Sequence, residues 1–144
     1  MAYSLKADIL NQMSDEELAQ LTSEQGDFVD DLVITAAIAD ADSLIDSYVG
    51  RQYVVPVSPT PARLKNISAM IAVYNLHSRR SAKLGGVNEA IRTNYEDCIS
   101  YLKDISVGKA VLDGAVTPAR SPSEAGGSFS ANERVFNKDS LDGL

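Results

Sequence analysis

The sequence predicts a mainly α-helical fold, a small bundle of three long helices and about two short ones. Apolar residues recur at helical spacing over three long segments, at about residues 30–49, 62–82 and 87–106. Prolines and glycines fall between these segments and not within them, as expected of residues that end helices. With 144 residues, 44% of them hydrophobic, the chain is long enough to fold around one core.

Two short helices are predicted near the N-terminus. Ser4 is a candidate N-cap for the first, because apolar residues follow it at helical spacing. Ser14 and Glu17 have the spacing of a capping box at the start of the second, in which each side chain bonds the free backbone N–H of the other residue. Helices of this length are unstable alone in water, so we expect both to dock on the longer helices.

The first long helix has the clearest periodicity. Its apolar stripe consists of Ile34, Ala37, Ile38, Ala41, Leu44, Ile45 and Tyr48. Gly50 follows the stripe as a candidate C-cap. Asp40, Asp42 and Asp46 are assigned to the opposite face, which we expect to be solvated, and no glycine-containing calcium loop accompanies them.

Residues 51–61 join the first and second long helices. β-Branched residues and three spaced prolines predict an extended segment here, one that cannot be a central strand. Tyr53, close to Arg51, either covers an edge of the core or anchors an interface, where Tyr and Arg are enriched. The second long helix ends near Arg79 and Arg80, which complement the helix dipole and can pair with the acidic N-terminal part of the chain. Binding of nucleic acid by these two arginines is the alternative.

A change of composition after the third long helix divides the chain. Residues 1–112 form a predicted helical body, and residues 113–144, rich in Gly, Ser and Pro, form a predicted C-terminal arm. This composition predicts disorder in the isolated chain. Phe129, Val135 and Phe136 are apolar positions in the arm, and we expect the arm to become ordered by assembly, against a partner such as a neighbouring subunit.

The net charge of −7 is unevenly distributed. Residues 1–50 carry −10, residues 51–110 carry +5 and residues 111–144 carry −2. Either parts of one fold neutralise each other, or the acidic face of one copy meets the basic face of the next. Strong affinity for nucleic acid is disfavoured, because phosphate binding needs a concentrated positive surface.

The chain offers few residues for catalysis. It has one cysteine, Cys98, and one histidine, His77, and it shows no hydrolytic triad, phosphate loop or dinucleotide fingerprint. Cys98 is predicted to be a buried hydrophobic residue, and His77 an ordinary surface or helix-end histidine. No apolar run has the length of a membrane helix, and the N-terminus lacks the pattern of a secretory signal. We therefore expect a soluble intracellular protein that is not an enzyme, binds no cofactor or metal and does not interact with a membrane.

Several segments, in their order and spacing, carry a resemblance to a known family. They are YSLKADIL at 3–10, ELAQLT at 17–22, AAIADADSLIDSY at 36–48, RQY at 51–53, IAVYNL at 71–76, YED at 95–97 and YLKDI at 101–105. Together they resemble the Mu-like tailed-phage family of small head–tail connector proteins, over about residues 3–112. The arm after residue 113 lies outside the resemblance.

The resemblance implies a helical adaptor that joins the portal as a ring, with twelve copies expected. Such a protein extends the DNA channel, helps to hold packaged DNA without reading its sequence, and docks the next neck or tail component. We would then expect it in the virion neck, after assembly in the cytoplasm of the bacterial host. The candidate channel-facing residues are Asp40, Asp42 and Asp46. The candidate contacts with another subunit or the portal are Arg51, Tyr53, Val54, Pro56, Arg79, Arg80, Phe129, Val135 and Phe136.

Two other functions remain open from the residues alone. The first is a small helical DNA-binding regulator that uses the helix end at Arg79 and Arg80. Its affinity for duplex DNA would fall steeply as the salt concentration rises. The other alternative is a small hydrolase whose turnover would depend on His77, and it ranks well below both the connector and the regulator.

Overall fold

The structure is a computed structural model that describes residues 1–114. Its helices are α1 (Lys6–Leu10), α2 (Asp15–Thr22), α3 (Asp31–Val49), α4 (Ala62–Leu84) and α5 (Glu89–Ser106). This architecture confirms the predicted mainly α-helical bundle of three long and two short helices. The candidate interface residues Phe129, Val135 and Phe136 lie outside the described residues, as does the predicted arm beyond Gly114.

The three long helices form the centre of the bundle. Ser68 on α4 contacts Asp42 on α3, and both residues lie about two turns from the connection between these helices. Helices α4 and α5 are antiparallel. Three side-chain contacts along them show this, pairing Arg63 with Tyr101, Met70 with Cys98, and Tyr74 with Tyr95. The end of α3, the start of α4 and the end of α5 therefore lie at the same end of the bundle.

All five helices contribute to one core. The largest fully buried side chains are Ile9, Leu18, Leu21, Ile34, Ile45, Val49, Val57, Leu64, Ile71, Leu76, Leu102 and Ile105. Ile9 comes from α1, and Leu18 and Leu21 come from α2, so the short helices dock on the long ones as expected. Within residues 1–114, no helix combines the length and the apolar character that a membrane crossing requires.

The residues that precede the two short helices confirm one predicted N-cap and correct the other. The Ser14 hydroxyl accepts a hydrogen bond from the Glu17 backbone N–H at 3.2 Å, which confirms Ser14 as the cap of α2. The prediction that Ser4 caps α1 is wrong, because Leu5 precedes the helix and its N–H donates to the Asp8 carboxylate at 2.8 Å. Ser4 is instead buried, with its hydroxyl 2.7 Å from the Ser68 hydroxyl.

Gly50 is the C-cap residue of α3, but it is not in the left-handed conformation of a typical C-cap glycine. Its φ is −59°, which any residue can adopt. A Cβ at this position would come within 2.8 Å of the Asp46 carbonyl oxygen. Glycine is therefore favoured here by the close approach of the backbone and not by its φ.

The segment that follows Gly50 is irregular. It turns at residues 51–52 and bends at 55–56 and 58–59 before α4 begins. Val57 is buried in the core, and its N–H donates to the Tyr3 hydroxyl at 2.8 Å. This contact fixes the proline-containing segment to the N-terminal segment.

Candidate interaction surfaces

Two loop segments lie side by side at the end of the bundle where α3 and α5 end. The Gln52 side-chain amide donates to the Ser106 carbonyl oxygen at 3.2 Å. The Leu112 backbone N–H donates to the Tyr53 hydroxyl at 3.2 Å, and Leu112 itself is buried. Residues 51–56 and 107–111 therefore form one continuous part of the molecular surface.

This part of the surface exposes apolar side chains. Val54 is 52% exposed, Val107 is 60% exposed and Val111 is 71% exposed. We use the term end surface for the exposed residues Arg51, Val54, Pro56, Val107, Lys109 and Val111. Exposed apolar side chains on adjoining segments form a patch that another protein can bury.

Sequence reasoning named three residues of the end surface and missed two of its valines. Arg51, Val54 and Pro56 are exposed there, whereas Tyr53 is half-buried and positions the chain at Leu112 through its hydroxyl. The missed residues, Val107 and Val111, follow α5, where no periodic pattern indicates which side chains face solvent. The sequence signal that could have indicated these two valines was the presence of β-branched residues just after a helix end.

A buried polar network joins the N-terminal segment to α3 and α4. The Tyr3 N–H donates to one Asp42 carboxylate oxygen at 2.9 Å, and the Ser68 hydroxyl donates to the other at 2.6 Å. The Tyr3 hydroxyl donates to Asp46. Burial raises the pKa of Asp42 above its ordinary value, although the hydrogen bonds from Ser68 and Tyr3 oppose the shift. Burial and the bond to Asp46 also raise the pKa of Tyr3.

This network corrects the predicted channel-facing set. The prediction that Asp42 faces a channel is wrong, because its side chain is buried and both of its oxygens are used within the molecule. Asp46 is half-buried and accepts a hydrogen bond from Tyr3, so it is only partly available to a partner. Asp40 is exposed, and its place in a channel stays a prediction. The spacing of Asp42 from Ile38 and Ile45, at i+4 and i−3, was the signal that it borders the apolar stripe.

A groove of about 640 Å³ runs between the N-terminal segment and α3. Its lining includes Met1, Leu5, Ile34, Ile38, Ala39 and Ser43. Met1 is 83% exposed and Leu5 is 61% exposed, so the edge of the groove is apolar as well as its floor. Lys6 and Asp31 form an exposed ion pair of 2.7 Å beside it. No sequence pattern pointed to this groove, because it is formed by segments about 30 residues apart in the chain.

The basic end of α4 packs against the end of α2. Arg80 is buried, and its guanidinium donates to the Ser23 carbonyl oxygen and lies 3.6 Å from the Glu24 carboxylate. The exposed Arg79 donates to the Leu21 carbonyl oxygen at 3.4 Å. Lys83 is 3.5 Å from Glu24.

These contacts correct the expected role of Arg80. The prediction that Arg80 contacts another subunit or the portal is wrong for this structure, because the side chain is buried within the molecule. The predicted pairing with the acidic N-terminal part of the chain is confirmed by Glu24. A DNA-binding surface built on Arg79 and Arg80 would therefore lack one of its two arginines.

The single cysteine is buried, as predicted, and the single histidine is also buried, although a surface or helix-end position was predicted for it. His77 Nε2 has no hydrogen-bond partner among the described residues, and the Glu17 carboxylate is 3.7 Å away. Burial lowers the pKa of His77, although Glu17 opposes the shift. Burial raises the pKa of Cys98 to about 11, as expected of the inert thiol predicted from sequence. In the part of the chain that the structure describes, no three side chains of metal-binding type are grouped to hold an ion.

Comparison with known proteins identifies the class to which this chain belongs. Residues 3–131 match the family described as Bacteriophage Mu, Gp36. Because this match covers most of the chain, the chain belongs to that family and is a protein of Mu-like bacteriophages. The predicted Mu-like phage character is thereby confirmed.

Two particular relatives are similar to this chain. The Mu-like prophage FluMu protein gp36 of Haemophilus influenzae is 29% identical over 129 residues, which cover 90% of this chain and 86% of that protein. Gene product J of Escherichia phage Mu is 30% identical over 80 residues, which cover 56% of this chain and 52% of that protein.

Proposed function

We propose that the protein is a head–tail connector, a structural component of the virion of a Mu-like phage. In this proposal it forms a ring below the portal, with twelve copies expected. The ring extends the DNA channel and docks the next neck or tail component. The protein acts through its surfaces, without catalysis or a cofactor. It is assembled in the host cytoplasm and located in the virion neck.

The end surface is the observation that carries this proposal. Exposed valines from two adjoining segments provide apolar area that a partner can bury, and each buried side chain of this size contributes about 1.5–3 kcal/mol. The exposed Arg51 and Lys109 add electrostatic attraction towards an acidic partner. Membership of the Mu Gp36 family supports a phage setting for such a contact.

Asp40 supports the channel part of the proposal. It is exposed on α3, away from the buried Asp42. A carboxylate repels DNA phosphates, so a channel lined by one such residue from each copy would let DNA pass without adhering. Asp42 makes no contribution to this lining.

Electron microscopy of the full chain, alone and mixed with the portal protein of the same phage, tests the proposal. We expect rings of the chain bound to the portal. The paired substitution Val54→Asp with Val111→Asp should abolish binding, because it puts charge into the centre of the contact. Thr93→Asp, at an exposed position on α5, is the matched control and should bind normally. A wild-type chain that stays monomeric and ignores the portal would refute the proposal.

A further inference from the structure

We infer that the groove between the N-terminal segment and α3 is a docking site for the C-terminal arm of a neighbouring copy. The arm residues that enter it are Val135 and Phe136. The inference rests on the proposed ring assembly, because it requires copies of the chain to lie side by side. No segment of residues 1–114 fills the groove, and the inference gives the groove a specific occupant.

The groove has the chemistry of an apolar peptide site. Ile34 and Ile38 form its floor, and the exposed Met1 and Leu5 form an edge. A bound side chain would remove apolar surface from water on both sides, which is the main driving force for docking. Asp31 lines the same groove but pairs with Lys6 at 2.7 Å, so docking depends on the apolar surface and not on this charge.

The arm contains a complementary sequence. Val135 and Phe136 are adjacent apolar residues, and the charges around them balance, with Glu133 and Arg134 before the pair and Lys138 and Asp139 after it. The apolar pair matches the floor of the groove, and charge makes no net contribution to the fit.

The length of the arm allows it to reach another copy. The described chain is fixed at Leu112, next to Tyr53 and the end of α3. About 20 residues separate this point from Val135, and an extended segment of that length spans up to about 70 Å. A body of about 114 residues has a diameter of roughly 35 Å. The arm can therefore cross from its own body to the groove of the next one.

Disulfide trapping between two separately purified full-length variants tests the inference. Ser43→Cys places a thiol in the groove, and Asn137→Cys places one beside the apolar pair without removing it. The two variants are mixed with the portal protein and oxidised. The matched control replaces Ser43→Cys by Ser100→Cys, at an exposed serine of α5 that is not part of the groove. The native Cys98 is buried and should remain unreacted.

We expect a disulfide-linked dimer in at least about tenfold excess over the Ser100→Cys control, the ratio that burial of one large apolar side chain supports. Val135→Ser with Phe136→Ser should remove this excess. A chain carrying both cysteines should give a ladder of linked chains. An internally linked monomer in its place overturns the inference, because the arm then occupies its own groove.

The experiment also separates this inference from the proposed function. If rings form on the portal but linkage at Ser43 is no greater than at Ser100, the inference is overturned and the proposed function stands. If no ring forms, the proposed function fails and the inference fails with it.

Discussion

At the scale of single residues, Asp42 joins the N-terminal segment and α4 to α3. Its carboxylate accepts hydrogen bonds from the N-terminal segment through Tyr3 and from α4 through Ser68. Ser68 has a second partner in Ser4, 2.7 Å away. The N–H of Tyr3 is therefore the group most dependent on this carboxylate.

Replacing Asp42 should destabilise the fold, whereas replacing Asp40 should not. Asp42→Ala leaves the buried Tyr3 N–H without its acceptor, so we expect the free energy of unfolding to fall by about 2–3 kcal/mol. Asp40→Ala, on the same helix but exposed, should change it by no more than about 0.5 kcal/mol. Urea denaturation of both variants measures the difference. Equal effects would show that the network does not stabilise the fold.

His77 should make stability depend on pH. Because its pKa is lowered in the folded protein, the unfolded chain binds the proton more tightly, and stability is lost as pH falls below about 6.5. Glu17 is the charged group that faces it and limits the loss. We expect urea denaturation from pH 7.5 to pH 5 to show a smaller fall in His77→Gln than in wild type. Parallel curves would contradict this prediction.

At the scale of elements, the junction between α2 and α4 depends on Arg80. Its guanidinium bonds the carbonyl oxygen of Ser23, just beyond the end of α2, where the free carbonyl groups of a helix favour positive charge. Arg79, next to it in sequence, is exposed and makes one long hydrogen bond. The two neighbouring arginines thus provide a direct comparison.

Arg80→Ala should destabilise the protein by about 2–3 kcal/mol. The substitution removes a buried charged donor, and the Ser23 carbonyl oxygen then has no hydrogen bond from α4. Arg79→Ala should have an effect below about 1 kcal/mol, as for exposed charged contacts. Both values come from urea denaturation followed by circular dichroism. If Arg79→Ala were as damaging as Arg80→Ala, the junction would not depend on the buried side chain.

The long helices could be predicted because their signals are local. Periodicity placed them at about 30–49, 62–82 and 87–106, close to the observed Asp31–Val49, Ala62–Leu84 and Glu89–Ser106. Burial of charged residues could not be predicted in the same way. Asp42 is covered by a segment about 40 residues earlier in the chain, and Arg80 by the end of α2, so both depend on tertiary contacts. The groove and the end surface also depend on tertiary contacts, because each is formed by segments that are distant in the chain.

At the scale of the whole molecule, part of the charge asymmetry is balanced internally. Lys65 pairs with Asp8 at 3.1 Å, and Arg80 and Lys83 approach Glu24, so contacts join the acidic and basic parts of the chain. Arg51 and Lys109 remain exposed at the end surface. Internal neutralisation therefore accounts for some of the pattern, and the remainder is available for contacts between proteins.

Assembly through the end surface should depend more on apolar contact than on charge. Exposed ion pairs contribute little and are screened by salt. We therefore expect Arg51→Ala to slow binding to the portal and to make it less sensitive to salt, with a smaller loss of affinity than Val111→Asp. Surface plasmon resonance at 50 and 300 mM salt measures both effects. A greater loss of affinity in Arg51→Ala would contradict an apolar contact.

The central claim is that many copies of this chain assemble on the portal, and native mass spectrometry of the complex tests it most directly. Each bound copy adds 15.4 kDa to the mass of the portal assembly. The connector proposal predicts a single dominant complex with several added copies, twelve being expected, which Val54→Asp with Val111→Asp removes. A portal assembly of unchanged mass, beside a free monomer of the wild-type chain, would contradict it.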